Sequence, residues 1–299
     1  MDILKKAARF LGPALLVFIF IRYVDIPLLI KTFKNASALY IFLSYLLTIA
    51  LYIARILRIY MPLKKSGVSV QFGYFAKIFI SSRFLGWLSN AFVSDFVNAV
   101  IVMSGKENKM RISNIFIYNR VADVLSALVL FGICFYFNAY LLYAYIYVSY
   151  KKVVVILCIL FAVSFIFLLT KSKFKAYIDD FLSVGKTFFS DTIILTLIIV
   201  MCSISSTILD AKALHIDVST SFLLLTYTVG IAISVLPISI SGIGTREITY
   251  IFLMNLVNIP SEKAIALSFL AFIFIPLASL ATLYIITLIG VNNENSHNR

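Results

Sequence analysis

Long apolar runs recur along this chain at a spacing that only a bilayer explains. Runs at about 8–24, 36–61, 112–137, 152–170, 191–211 and 262–290 each approach the ~20 residues a helix needs to cross a hydrocarbon core. Short loops carrying Lys and Arg separate them. A soluble domain could not hide so much apolar surface, because its buried fraction grows too slowly with length. Of the 299 residues, 62% are hydrophobic and 13% charged. The expected fold is all-α, a polytopic membrane protein forming a single transmembrane domain over residues 1–299 with a polar tail at 291–299. Lys5, Lys6 and Arg9 before the first run resemble the start of a signal peptide. No good small-residue cleavage site follows, so a retained first span is expected.

The formal net charge of +13 would suggest a nucleic-acid partner in a soluble protein. Here the basic residues sit in loops between apolar runs, where they set orientation and meet anionic headgroups. No nucleic-acid partner is expected. Cys134, Cys158 and Cys202 all lie inside apolar runs and read as small packing residues. His215 and His297 have no neighbours that would build a metal site, so neither a metal nor a cofactor is expected.

Two further apolar stretches are broken. One runs from about Val68 to Met103 and is interrupted by Asn90–Asp95. The other runs from about Ser219 to Asn258 and is interrupted by Pro237–Gly244. In the second, Phe222–Val235 and Thr245–Leu256 would be roughly 18–21 Å long as helices, at about 1.5 Å per residue. Neither half crosses a core of about 30 Å. With a cytoplasmic N-terminus and both stretches folded as hairpins, most Lys and Arg fall inside, among them Lys64, Lys65, Lys106, Lys109 and Arg111. A crossing first stretch would split those five between the two sides. The expected arrangement is therefore six long spanning helices plus two re-entrant broken-helix hairpins in an inverted repeat, with halves at about 1–137 and 139–290. Both termini are expected in the cytoplasm of a multi-pass protein of the cell membrane. Inverted halves with discontinuous helices are a transporter arrangement that builds a midplane site. The segment at about Phe174–Phe189 reads as an amphipathic stretch at the cytoplasmic surface.

Several charges resist this environment. An ionised residue near the bilayer centre costs about 2.5–3.5 kcal/mol on insertion scales, so each needs a reason. Arg246 and Glu247 follow the second break. Adjacent helical residues point about 100° apart, so each is expected to find a different partner. One reading leaves them wetted at a turn made by Gly242 and Gly244, with Glu247 favouring the positive helix end. The sharper reading has free N–H groups of a half-helix and Arg246 gripping an anionic headgroup. In the first broken stretch stand Arg83, Asn90 and Asp95, and Asp95 needs Arg83 or Arg120 as partner. A structural ion pair is the competing account. Arg120 and Asp123, three residues apart, are placed to neutralise one another. Arg55 and Arg58 read as snorkelling to headgroups. Ser203, Ser205, Ser206 and Thr207 read as close helix packing, or alternatively as the lining of a polar groove.

The run Leu236-Pro237-Ile238-Ser239-Ile240-Ser241-Gly242-Ile243-Gly244-Thr245-Arg246-Glu247 resembles the Pro…Gly-x-Gly-x-Arg-Glu signature of the lysylphosphatidylglycerol synthase transmembrane-region (flippase-like) family. Arg83 to Asp95 is similar to that family's first-half Gly…Asn…Pro…Gly-Asp element, and Asn119-Arg120 to its later Asp-Arg. Val93, Ser94 and Asn98 depart from the pattern, standing for Pro, Gly and Arg, which implies an altered first-half phosphate contact or lipid choice. The resemblance implies lipid flipping by a stand-alone member without the soluble aminoacyltransferase domain.

The resulting expectation is a flippase-like protein that moves a phospho- or glycolipid with a polar or anionic headgroup between leaflets. Transport rather than bond chemistry is the expected activity. Arg246, Glu247, Gly242, Gly244, Asp95, Asn90, Arg83, Arg120 and Asp123 are its candidate headgroup residues. The alternatives are a membrane transferase acting on a lipid-linked substrate, and a non-transporting partner of one. A separately encoded lipid-modifying enzyme and a second copy of the chain are the protein partners compatible with these readings.

Overall fold

The computed structural model describes residues 26–88, 91–104, 106, 108–145, 172–234 and 244–297. The runs expected to span at 8–24 and 152–170 lie outside the described residues, as do Asn90 and Gly242. Among the described residues the chain is helical, in nine segments: α1 Ile26–Lys34, α2 Ala38–Lys65, α3 Phe72–Leu88, α4 Ala91–Met103, α5 Lys109–Tyr145, α6 Ser172–Ala213, α7 Thr220–Ser234, α8 Thr245–Asn255 and α9 Ser261–His297. Four of these (α2, α5, α6 and α9) are long and apolar enough to cross a bilayer.

Both broken stretches fold back on themselves. Along a straight helix, Arg83 and Asp95 would be separated by about 18 Å at 1.5 Å per residue. Their side chains instead meet at 2.6 Å, so the chain reverses between α3 and α4. The two ends of this hairpin lie together. The Lys106 ammonium donates to the Ser69 carbonyl at 2.9 Å, and Arg111 Nε donates to the Ser66 hydroxyl at 3.3 Å. Helices α7 and α8 reverse likewise: Gly230 lies so close to Tyr250 that an added Cβ would sit 2.4 Å from its ring. The ends of this second hairpin also meet, through a 2.6 Å bond from the Lys263 ammonium to the His215 carbonyl.

The hairpins open at opposite ends of α2. Ser66 and Ser69 follow the C-terminus of α2. At its N-terminus, the Ser37 N–H donates to the Ala213 carbonyl at 2.9 Å, placing the His215 loop there. At about 1.5 Å per residue the 28 residues of α2 separate the two openings by roughly 42 Å. Each hairpin has its own packed core. One gathers Ile56, Leu63, Phe75, Phe79 and Ile112. The other gathers Phe222, Leu225, Met254, Ala264 and Leu267. In lipid, tight packing rather than escape from water holds such helices together. The fully buried Ala264, Ala266, Ser268, Ala278 and Thr282 let α9 approach both hairpins closely. By contrast, α5 and α6 turn Val129, Tyr136, Phe137 and Met201 outward, each more than 60% exposed, as a lipid-facing surface requires.

The stretch at 174–189 is continuous with the following span in α6. Val184 and Phe188 are fully packed, Gly185 sits against the Tyr118 ring, and Asn114 donates to Asp180 at 2.8 Å. These contacts pack it against α5.

Candidate functional site

The first hairpin delivers its charges to a cluster shared with α2 and α5. Arg58 is 2% exposed and donates to Asp123 at 2.5 Å and to the Thr196 hydroxyl at 3.0 Å. Arg83 bonds Asp95 at 2.6 Å, and Arg120 approaches the other oxygen of Asp95 at 3.5 Å. Arg55 joins them, with Asp123 and Asp95 both acting on it electrostatically. Four guanidiniums thus face two carboxylates around a cavity of about 10 Å³, room for one water molecule. In a low-dielectric interior such a positive surplus needs an anion. Arg55 Nε, Arg58 Nε and Arg83 Nε are buried without hydrogen-bond partners among the described residues.

Two expectations change. Asp123 takes Arg58, not Arg120, because Arg120 turns toward Asp95. Arg58 does not snorkel, since its head is buried against the carboxylate of a neighbouring helix.

The second hairpin brings Arg246 and Glu247, 7% and 4% exposed. They begin α8, whose N-cap Gly244 has φ +86°, a left-handed conformation that favours glycine. Glu247 reaches back so that one oxygen accepts the Gly244 N–H at 2.6 Å. Its carboxylate thereby satisfies an orphan donor at the positive helix end. Its other oxygen accepts from Arg246 Nη2 at 2.8 Å and from the Ser268 hydroxyl at 2.9 Å. The expectation that Arg246 and Glu247 find different partners is therefore corrected. A 100° separation at the backbone is bridged because both long side chains bend toward Ser268, and Arg246 Nε donates to that hydroxyl at 2.8 Å. The guanidinium also lies 4.9 Å from the centre of the Phe272 ring. With Nε and Nη2 engaged, Nη1 is the nitrogen of Arg246 left to meet a ligand among these contacts.

Both hairpins line one larger cavity of about 280 Å³. Arg83 and Ser94 come from the first, Ser234, Arg246 and Tyr250 from the second, and Arg55 and Arg120 from the long helices between. Small-molecule sites begin near ~300 Å³, so this space suits a small polar group. Ser203, Ser206 and Thr207 line it as well, so the polar stripe of α6 borders a groove. Asp95 and Asp123 do not reach it; they stand behind the arginines, in the smaller cavity. Asn98, one of the motif departures, is fully buried with neither amide atom bonded among the described residues.

The sequence reading gave Arg55 to the headgroups rather than to a cavity, and it did not single out Asp210. A signal existed for both. Ser44, Thr48, Tyr52, Arg55 and Arg58 recur at helical spacing on α2, and Ser203, Ser206, Thr207 and Asp210 do so on α6. Two polar stripes on otherwise apolar helices mark faces that meet each other rather than lipid. Neither a curated protein nor a solved structure matches the chain. A family model does, over residues 6–290: its description is lysylphosphatidylglycerol synthase TM region, and the chain belongs to that family of membrane domains.

Proposed function

We propose that this protein translocates a lipid with an anionic headgroup between leaflets, the headgroup passing through the 280 Å³ cavity while the tails stay in the bilayer. The observation that carries this reading is the surplus of guanidinium over carboxylate at the meeting point of the two hairpins. Arg55, Arg83, Arg120 and Arg246 supply donors for phosphate oxygens. The two hairpins open at opposite ends of α2, which supports an inverted repeat with access to the cavity from either face in turn. In this reading the hairpins are re-entrant, two further spans complete six, and both termini are cytoplasmic in the cell membrane, as the distribution of Lys and Arg favours. A transferase would need a carboxylate free to act as base. Asp95, Asp123 and Glu247 each hold an arginine instead, and Asp210 is the cavity carboxylate that stays outside these pairs among the described residues.

Arg55 offers the clean test, because no salt bridge ties it to a carboxylate that its removal would orphan among the described residues. In vesicles carrying a phospholipid with a fluorescent headgroup, the wild-type chain should speed the exchange between leaflets. Arg55→Gln should slow it roughly 10- to 100-fold, the worth of a charged hydrogen bond of about 1.5–3 kcal/mol. Equal rates for the two would remove the support for transport.

A further inference from the structure

The cavity also holds a carboxylate that stands outside the arginine pairs. Asp210, in the last turn of α6, lines it at 2% exposure. Asp95, Asp123 and Glu247 are all held by arginines, yet no salt bridge reaches Asp210 among the described residues. Its Oδ1 is buried with no hydrogen-bond partner among them. The Ser44 hydroxyl faces the carboxylate, and Tyr227 and Tyr250 are the other titratable groups it acts on. An isolated carboxylate in a membrane interior is costly, and either a bound proton or a counter-charge relieves it.

Two of the surrounding hydroxyls are oriented to supply oxygen. Thr48 donates to the Ser44 carbonyl at 3.0 Å, and Thr207 to the Ser203 carbonyl at 2.9 Å. Their protons are thus directed away, and their lone pairs are available to a cation. Ser206 bridges the group, 2.8 Å from the Ser44 hydroxyl and 3.4 Å from that of Thr48. The C-terminal end of a helix also favours positive charge. Among the described residues no three His, Cys, Asp or Glu side chains come together. One carboxylate among hydroxyls balances a single charge, which suits neither a transition metal nor a divalent ion with its several carboxylates.

We infer that Asp210, Ser44, Thr48, Ser206 and Thr207 form a binding site for a small monovalent cation. A free sodium-sized ion and a primary ammonium group share that chemistry. The site uses other residues than the guanidinium cluster, so its test is independent of the transport reading.

Thermal unfolding of the full chain in detergent decides it, with sodium chloride, methylammonium chloride and N-methylglucamine chloride compared at equal ionic strength. Sodium should raise the unfolding midpoint of the wild type in a saturable way, following RT ln(1 + [L]/Kd). Asp210→Asn should abolish the rise. A rise with methylammonium alone would also support the site and assign it to an ammonium group. The same midpoint in all three salts would overturn the inference, and so would a rise that persists in Asp210→Asn. If Asp210→Asn does not fold, Ser206→Ala provides the second reading. It should shift the half-saturating cation concentration at least severalfold, and an unchanged titration would overturn the inference.

Discussion

At the scale of single residues, the chain tolerates charges in the membrane by giving nearly every one a partner. Glu247 is the most heavily used, since it caps α8 and holds both Arg246 and Ser268. Removing one member of a buried pair leaves the other uncompensated, at roughly 3–5 kcal/mol. Removing both avoids that penalty. Glu247→Ala should therefore lower the unfolding midpoint sharply. The double variant Glu247→Ala/Arg246→Ala should be less destabilised than the sum of the two single changes. A double-mutant cycle on purified protein measures the difference. Additive losses would mean that the pair contributes no coupling.

At the scale of elements, the second hairpin depends on a close approach. With no side chain at Gly230, the buried Tyr250 ring can lie directly against the backbone of α7. A methyl group there would displace the ring in a packed interior. Gly230→Ala should accordingly destabilise the protein by about 1–3 kcal/mol, as overpacking does. The check is its unfolding midpoint beside that of Gly73→Ala, where an added Cβ meets nothing within 4 Å. Similar losses for both would place the effect in helix propensity or lipid contact and not in the α7–α8 seam. The first hairpin is fastened by charge instead, through Arg83 and Asp95. Different fastenings are expected when a hairpin has an ionic partner to hand in one half and a small-residue contact in the other.

At the scale of the whole molecule, the two hairpin openings define two faces. Ser66, Ser69 and Lys106 share one, and Ser37, His215 and Lys263 share the other. In a variant with its native cysteines replaced, Ser66→Cys and Ser104→Cys should react with a membrane-impermeant thiol reagent from the same side of sealed vesicles. His215→Cys and Glu262→Cys should react from the opposite side. Labelling of Ser66→Cys and Ser104→Cys from different sides would mean that α3 and α4 cross. Surface charges at the first face matter much less. Lys65, more than half exposed beside Asp191, should contribute under about 1 kcal/mol, as exposed pairs do.

Much of this architecture was legible in the sequence. Run length alone located the four long helices, because bilayer thickness imposes a minimum on any crossing helix. The distribution of Lys and Arg chose the hairpin for the first broken stretch, and the placement of Ser66, Ser69 and Lys106 agrees. Arg246, Glu247 and Arg83 stood out because charge amid apolar residues demands compensation. What the sequence could not decide was who compensates whom. Arg58 pairs with Asp123 and Arg120 turns to Asp95 across helices, contacts that span up to 65 positions of the chain. Side-chain reach also overrode local spacing at Arg246 and Glu247, which bend to a common serine on α9. Periodicity fixes which face of a helix is polar, but the identity of the opposing face depends on how the helices are packed. Only that packing separated the paired carboxylates from Asp210, which faces the cavity without an arginine partner among the described residues.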